Sequence, residues 1–311
     1  MTSVAMAFFT LTNRDLQIPS ATLRIRGPDA NTYLQGQFTQ ELRLPAGRKC
    51  YGLWLNQKGK VLADSYILKE AENAYWVHAP RATALILRER LESYLIADEV
   101  EMEDFSIHWS AIYLTGDDLG AAWTALGLGA WPEASCFASA EGWKLFSGCF
   151  TGAANYVLLV STETVAAWVA RLRAAGWTEL PGAELERRRI LARQPAVPDD
   201  VGPTDLPNEG GLEQEAISYT KGCYLGQEVM ARLKNLGQVR RKLHVVRGPG
   251  QQPPRAADLF QGAQRVGEIR SAARDGDGFV ALAMLSLVTL QPSAPLSLTA
   301  GGAADIVIHH G

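Results

Sequence analysis

Two stretches of this chain, about 82 residues apart, carry the same unit, and that recurrence limits the folds open to it. Asn73-Ala74-Tyr75-Trp76-Val77-His78 runs into an amphipathic segment that ends near Leu95. Asn155-Tyr156-Val157-Leu158-Leu159-Val160 runs into another that ends near Ala175. Each copy reads as a short aromatic strand, a polar cap and a helix. Two related α+β subdomains are one reading. Chance recurrence of a common strand–helix unit is the other.

The rest of the first 195 residues supports an α+β arrangement, with paired strands and helices on one face. Pro28 opens a helix that carries Ala30, Tyr33, Leu34 and Phe38. Pro80 opens the one with Leu85, Ile86, Leu91 and Leu95. Asp117 is placed to cap Leu119, Trp123 and Leu126, and Ser161 or Thr162 to cap Val165, Trp168, Val169 and Leu172, with a stop at Gly176. A charged helix follows over Ala183–Arg193. Strands are expected at Leu23–Arg26, Val61–Leu68, Tyr75–His78, Ser110–Leu114, Lys144–Phe146 and Tyr156–Val160.

From about residue 236 no helix of normal length fits. Leu243–Val246, Gly267–Ile269, Phe279–Leu285, Leu296–Leu298 and Ile306–Ile308 read as strands split by turns such as Asp275-Gly276-Asp277-Gly278, which implies a small β-barrel. The expected division is 1–195 for the intertwined α+β subdomains, 196–235 for a connector and 236–311 for the barrel. The connector begins in a proline-rich stretch, Gln194–Thr220, whose six acids (Asp199, Asp200, Asp205, Glu209, Glu213, Glu215) face no Lys or Arg. The next stretch, Lys221–Arg247, has seven Lys and Arg against Glu228 alone. Either the two neutralise each other across a domain junction, or the second forms a basic rim for an anionic ligand.

Net charge is −3, with 47% apolar and 20% charged residues, so the whole molecule is not a generic polyanion binder. Four scattered cysteines, none in a Cys-x-x-Cys pair, suit a reducing compartment and give no support to a metal or cluster site of the chain's own. No signal peptide is read at Val4–Phe9. The apolar part of Gly278–Ala304 is too short to span a bilayer, so a cytoplasmic protein without a membrane partner is expected. His309 and His310 read as a frayed tail.

The segment Lys221-Gly222-Cys223-Tyr224-Leu225-Gly226-Gln227-Glu228 combines backbone freedom, a cation, a thiol, an aromatic face, an amide and a carboxylate before a helical continuation. A thiol at a helix start beside Lys221 would favour the thiolate; inert packing of a single Cys is the alternative. With Arg232 following, this segment resembles the signature of the YgfZ family, in the superfamily of the glycine-cleavage T-protein. Gly27-x-Asp29-Ala30 with Tyr33-Leu34-Gln35-Gly36-Gln37, the turn Asn56-Gln57-Lys58-Gly59-Lys60, Pro207-x-Glu209, Gly237-x-Val239-x-Arg241 and Val266-Gly267-x-Ile269-x-Ser271 extend the resemblance over nearly the whole chain.

The resemblance implies a T-protein-like, three-domain arrangement around a central channel that accepts tetrahydrofolate or a folate derivative. It also implies a role in assembling or repairing iron–sulfur clusters of client enzymes, tRNA-modifying enzymes among them. Cys223 is then the functional thiol, and Asp64 a further catalytic candidate. Gln35, Gln37, Gln227 and Glu228 are candidates for the pterin edge, Tyr33 and Tyr224 for its walls, and Lys221, Arg232 and Arg241 for the anionic parts of the ligand. Each also has a plain reading, in the core or on a solvated helix.

The chain departs from the aminomethyltransferase branch at two places. Ala63 stands beside Asp64 where that branch has two acids, and Phe150-Thr151-Gly152-Ala153 lacks its pterin-facing carboxylate. Glycine-cleavage activity is therefore not expected. A folate-dependent one-carbon transferase with another acceptor is the alternative, and a tRNA-binding module using Lys221–Arg247 the second. Direct nucleic-acid binding is not expected, because no aromatics cluster among those basic residues.

Overall fold

The computed structural model describes residues 6–11, 18–149 and 154–309. After β1 (Ala7–Thr10), the first α+β unit runs β2 (Ala21–Arg26), α1 (Ala30–Gln37), β3 (Lys49–Leu55), β4 (Val61–Ala71), β5 (Ala74–Ala79), α2 (Ala84–Glu92) and β6 (Glu101–Asp104). The second runs β7 (Trp109–Gly116), α3 (Leu119–Thr124), β8 (Phe137–Ala140), β9 (Trp143–Ser147), β10 (Asn155–Ser161), α4 (Val165–Ala174) and β11 (Thr178–Glu179). The sheets have matching orders, β3-β4-β5-β2-β6 and β8-β9-β10-β7-β1-β11. The recurrence in the sequence is therefore a structural repeat. The units interlock because β1, which precedes the first unit, pairs with β7 of the second.

Most helix expectations hold with shifted ends. Thr83, not Pro80, caps α2, and its side chain accepts from the Ile86 N–H. Leu87 and Leu91 face the core, while Leu85 and Ile86 are exposed. Asp118, rather than Asp117, caps α3. In this part of the chain the sequence reading missed β1, β3, β6, β8 and β11. β3 carries Gly52, where a Cβ would lie 2.7 Å from the Phe38 ring, so the strand needs a residue that sequence patterns count as a break.

One face of each sheet packs on its own helices. Leu34, Leu87 and Leu91 cover the first sheet, and Trp123, Trp168 and Leu172 cover the second. The opposite faces meet in a shared core holding Tyr51, Tyr66, Tyr113 and Phe146. Burial on both faces explains why β4 reads as a nearly continuous apolar run.

The chain continues through α5 (Gly182–Leu191), α6 (Pro207–Gly210), α7 (Glu213–Ala216) and α8 (Gln227–Leu236). Then come β12 (Arg241–Pro249), β13 (Asp258–Gln261), β14 (Gln264–Asp275), β15 (Gly278–Ser286) and β16 (Val307–Ile308), ordered β13-β14-β15-β12-β16. Phe260 bridges Ser297, and Leu296 bridges Ile306 at the start of β16, so the sheet's two edges are tied into a small barrel. Val246, Phe279, Ala281 and Leu285 fill it, while α5 lies against the outer faces of β14 and β15. Among the described residues, no helix is long and apolar enough to cross a membrane.

Where the barrel meets the α+β units, acids of the Gln194–Thr220 stretch are neutralised by arginines, of which Arg241 alone comes from the neighbouring basic stretch. Asp205, fully buried, takes Arg241 and Arg270 at 3.0 Å each. Glu209 takes Arg241 at 2.9 Å. Asp200, also fully buried, takes Arg189 at 2.6 Å and the Ser271 hydroxyl. Charges at such depth persist only when paired and hydrogen-bonded.

Candidate functional site

A channel lies between the inner faces of the two sheets, and it is built by strand parity. On β3 and β4, Tyr51 faces Tyr66 and Leu53 faces Asp64. Side chains at alternate positions share a face, so Tyr51, Asp64 and Tyr66 all point inward. Asp64, Tyr51, Tyr66, Tyr113, Arg81 and Arg189 line a narrow inner chamber with a cavity volume of about 50 Å³. A wider, more open chamber of about 520 Å³ adjoins it, lined by Lys49, Glu41, Ser147 and Glu215. Tyr51 and Cys149 line both chambers.

Asp64 is the chemically unusual group. It is buried, and its Oδ2 accepts a 2.8 Å hydrogen bond from the Tyr51 hydroxyl. Its Oδ1 is buried with no partner, an oxygen that a ligand N–H would satisfy. Burial pushes the carboxyl up to about 6, against the downward pull of the Tyr51 bond. Cys149 lies at the join of the chambers. Its N–H donates to the Tyr66 hydroxyl at 2.8 Å, and its sulfur lies 3.0 Å from that oxygen. Burial pushes this thiol up to about 12, so it is not a thiolate nucleophile at neutral pH.

Ala63 corrects one inference from the sequence. It points away from the channel into the core beside Trp54 and Ile67. Neighbouring residues on a strand face opposite ways, so an acid at 63 could not have joined Asp64 at the channel wall. Phe150-Thr151-Gly152-Ala153, read as lacking a second acid, falls outside the described residues.

Of the residues singled out from the sequence, the structure brings only Asp64 to the channel wall. Tyr33 is buried, and its hydroxyl donates to the Leu91 carbonyl, so it is a core residue and not a ligand wall. Gln35 bonds to Glu41 and to the Leu42 N–H, and Gln37 accepts from Arg90 at 2.9 Å. Arg241 is held by Asp205 and Glu209. Glu228 and Arg232 are 91% and 74% exposed on α8 and 3.6 Å apart, a solvated helix pair. Lys221 is buried in the protein and Arg241 is ion-paired, which removes the two from the basic rim expected of Lys221–Arg247.

The signature instead fastens three segments together. The Lys221 ammonium donates to the carbonyls of Gln35, Phe38 and Gln40 at 2.7–2.8 Å, closing the open C-terminal end of α1. Burial draws this ammonium down to about 8. Tyr224 is buried against it, with the ammonium 5.3 Å from the ring centre, so it too is packed and not a channel wall. The Leu225 N–H donates to Gly36, and Gln227 begins α8, half-buried. Cys223 is exposed in the loop before α8, not at its first turn, and its neighbour Lys221 is occupied with carbonyls. The thiol therefore does not take the helix-start position expected of it.

Gly226 lets the signature settle on the turn at Asn56–Lys60. It sits at φ +87°, and a Cβ there would lie 2.9 Å from the Asn56 carbonyl oxygen and 3.2 Å from the Gly59 Cα. Gly226→Ala should therefore destabilise the chain by about 1–3 kcal/mol, from left-handed strain plus the clash. Urea unfolding measures this, and an unchanged midpoint would show that the turn yields freely.

Tyr51, Tyr66, Tyr113, Cys149, Lys49 and Arg81 were missed by sequence reasoning. The available signal was the alternation Lys49, Tyr51, Leu53 opposite Asp64, Tyr66, Leu68, but it needs the β3–β4 pairing to be interpreted.

The architecture defines a two-unit α+β body with a channel between its sheets and an appended barrel, the T-protein fold. Glycine cleavage system aminomethyltransferase T from Bartonella henselae has this fold, with a TM-score of 0.82 at 18% identity, covering 98% of this chain and 86% of that one. Residues 19–126 match the GCVT N-terminal domain family. Iron-sulfur cluster assembly factor IBA57, mitochondrial, of Homo sapiens is 28% identical, covering 98% of this chain and 83% of that protein. tRNA-modifying protein YgfZ of Edwardsiella ictaluri is 27% identical, covering 84% and 80%. Together these likenesses support the superfamily of YgfZ and the glycine-cleavage T-protein.

Proposed function

We propose that the chain is a tetrahydrofolate-binding accessory protein in the assembly or repair of iron–sulfur clusters in client enzymes, tRNA-modifying enzymes included. The observation that carries the folate part is Asp64, with its unpartnered oxygen on a tyrosine-lined wall. A pterin offers N–H donors to such an oxygen and a planar face to such rings. The cluster part is supported by the names of the relatives, iron-sulfur cluster assembly factor and tRNA-modifying protein.

Cys223 divides labour with the channel. It is exposed, away from the chambers, on a loop anchored by Lys221 and Gly226. That suits a thiol presented to a client and not to the folate. We assign the protein to the cytoplasm, a reducing compartment suited to four free cysteines; the human relative is named as mitochondrial.

Titrating tetrahydrofolate against the eight-Trp fluorescence should give saturable quenching. Cys223→Ala should keep this binding, shift stability by less than about 0.5 kcal/mol as an exposed substitution, and fail to restore client activity and tRNA thiolation in a strain lacking the family member. Full restoration by Cys223→Ala would remove the thiol's role. No saturable folate binding would remove the folate role. The buried carboxyl of Asp64 also favours a second reading, a one-carbon transferase with an acceptor other than the glycine-cleavage one. Folate turnover with candidate amines distinguishes it, since the accessory reading expects none.

A further inference from the structure

We propose that the outer chamber is a carboxylate subsite, in which Lys49 holds the glutamate end of a folate whose pteridine lies beside Asp64, and that Glu215 restricts the site to a single glutamate. This rests on the folate reading above and adds an orientation and a chain-length preference to it.

Lys49 opposes Leu68 and Leu53 opposes Asp64 on the β3–β4 ladder. The four residue steps from Lys49 to Leu53 amount to about 13 Å of strand. Lys49, Tyr51 and Leu53 share one face, so a cation and an acid stand at opposite ends of one wall, with Tyr51 and Tyr66 between them.

Two observations set the direction. The unpartnered Oδ1 of Asp64 asks for a hydrogen-bond donor, which a pteridine supplies and a carboxylate does not. The inner-chamber arginines do not compete for a carboxylate, because Arg81 is paired with Glu186 and Arg189 with Glu186 and Asp200. Lys49 is differently placed. Its ammonium donates to the Ser147 carbonyl at 3.0 Å, and no carboxylate ion-pairs with it among the described residues. An ammonium has three donors, so two remain for a ligand. Burial lowers the Lys49 pKa, and an arriving carboxylate offsets that cost.

The same chamber sets the length limit. Arg43 holds the Glu41 carboxyl down at about 2, so it is charged, and Glu215 adds a second carboxylate to the lining. Arg43 offsets the charge of Glu41, so each further γ-glutamate meets the like charge of Glu215 as its main cost.

Calorimetry on the full chain tests this with tetrahydrofolate monoglutamate, its tri-γ-glutamate, and 6-methyltetrahydropterin, which lacks the benzoylglutamate. Lys49→Met should weaken the monoglutamate about tenfold, the worth of one charge-assisted hydrogen bond, and leave the pterin unchanged. Lys49→Arg should retain most of the affinity, which separates lost charge from misfolding. The triglutamate should bind wild type no tighter than the monoglutamate, and Glu215→Gln should improve it. Equal monoglutamate affinity in wild type and Lys49→Met, or a triglutamate tenfold tighter on wild type, would overturn the subsite while leaving the folate reading intact. A wild-type chain that binds none of the three ligands removes both.

Discussion

Replacing Arg189 with Met is expected to cost about 3–5 kcal/mol, enough to unfold a marginally stable chain near physiological temperature. The Arg189 side chain is 4% exposed, and its guanidinium joins Glu186 at 2.8 Å, Asp200 at 2.6 Å and the Gln194 carbonyl at 2.8 Å. Burial pulls the guanidinium down, and the charges of Asp200 and Glu186 more than offset it. Met would fill much of the volume but leave Asp200 fully buried without a cation, and Glu186 with Arg81 alone. The damage should reach beyond α5, because Asp200 also binds Ser271 of the barrel and the Ala196 N–H. Urea unfolding followed by Trp fluorescence gives the magnitude, and a loss below about 1 kcal/mol would mean that water reaches these acids. Arg189→Lys should fall in between, since it keeps the charge but loses the planar fork.

Asp64→Asn is expected to separate stability from ligand binding. The carboxyl titrates near 6 in the folded chain, against an ordinary value of 3.8, because burial outweighs the Tyr51 hydrogen bond. Between those values the folded state holds a proton that the unfolded state has lost. Stability therefore falls as pH rises through this window, and the cost is complete above it. The difference amounts to about 3 kcal/mol. An amide does not titrate here, so the variant should gain about that much on the wild type between roughly pH 4 and pH 7. Urea unfolding at both pH values reads the change, and a constant gap would mean that the carboxyl does not titrate in the window. Folate affinity should move the other way and drop by about tenfold or more, because an ionised acceptor makes stronger hydrogen bonds than an amide. A group that costs stability in the free protein and contributes to binding is typical of a functional site.

Different parts of the molecule were legible to different degrees. Helices with clear periods were readable to within a few residues, as at Val165–Ala174, because amphipathic spacing and polar caps act locally. β3 was not, since Gly52 breaks the pattern for a packing reason that lies in α1's neighbour Phe38. The channel was legible at one residue, Asp64. Tyr33, Gln35 and Gln37 sit near one another in the sequence and looked like a ligand cluster, yet α1 turns them toward the Leu91 carbonyl, Glu41 and Arg90. A helix face can be read from spacing, but what covers that face cannot.

The signature carries the same lesson. Its residue types alone identified the superfamily and marked Cys223. Tertiary structure decided that Lys221 and Tyr224 are buried fasteners, that Gly226 is required by contact with the Asn56–Lys60 turn, and that Cys223 faces solvent away from the channel. The sequence by itself determined the barrel and the kinship, because these rest on local periodicity and on a motif contiguous along the chain, whereas the repeat, open to chance recurrence in the sequence, was decided by the matching strand orders. Only the fold could assemble the channel, because Lys49, Asp64, Arg81, Cys149 and Arg189 come from segments up to 140 residues apart and converge through strand register and buried charge pairing.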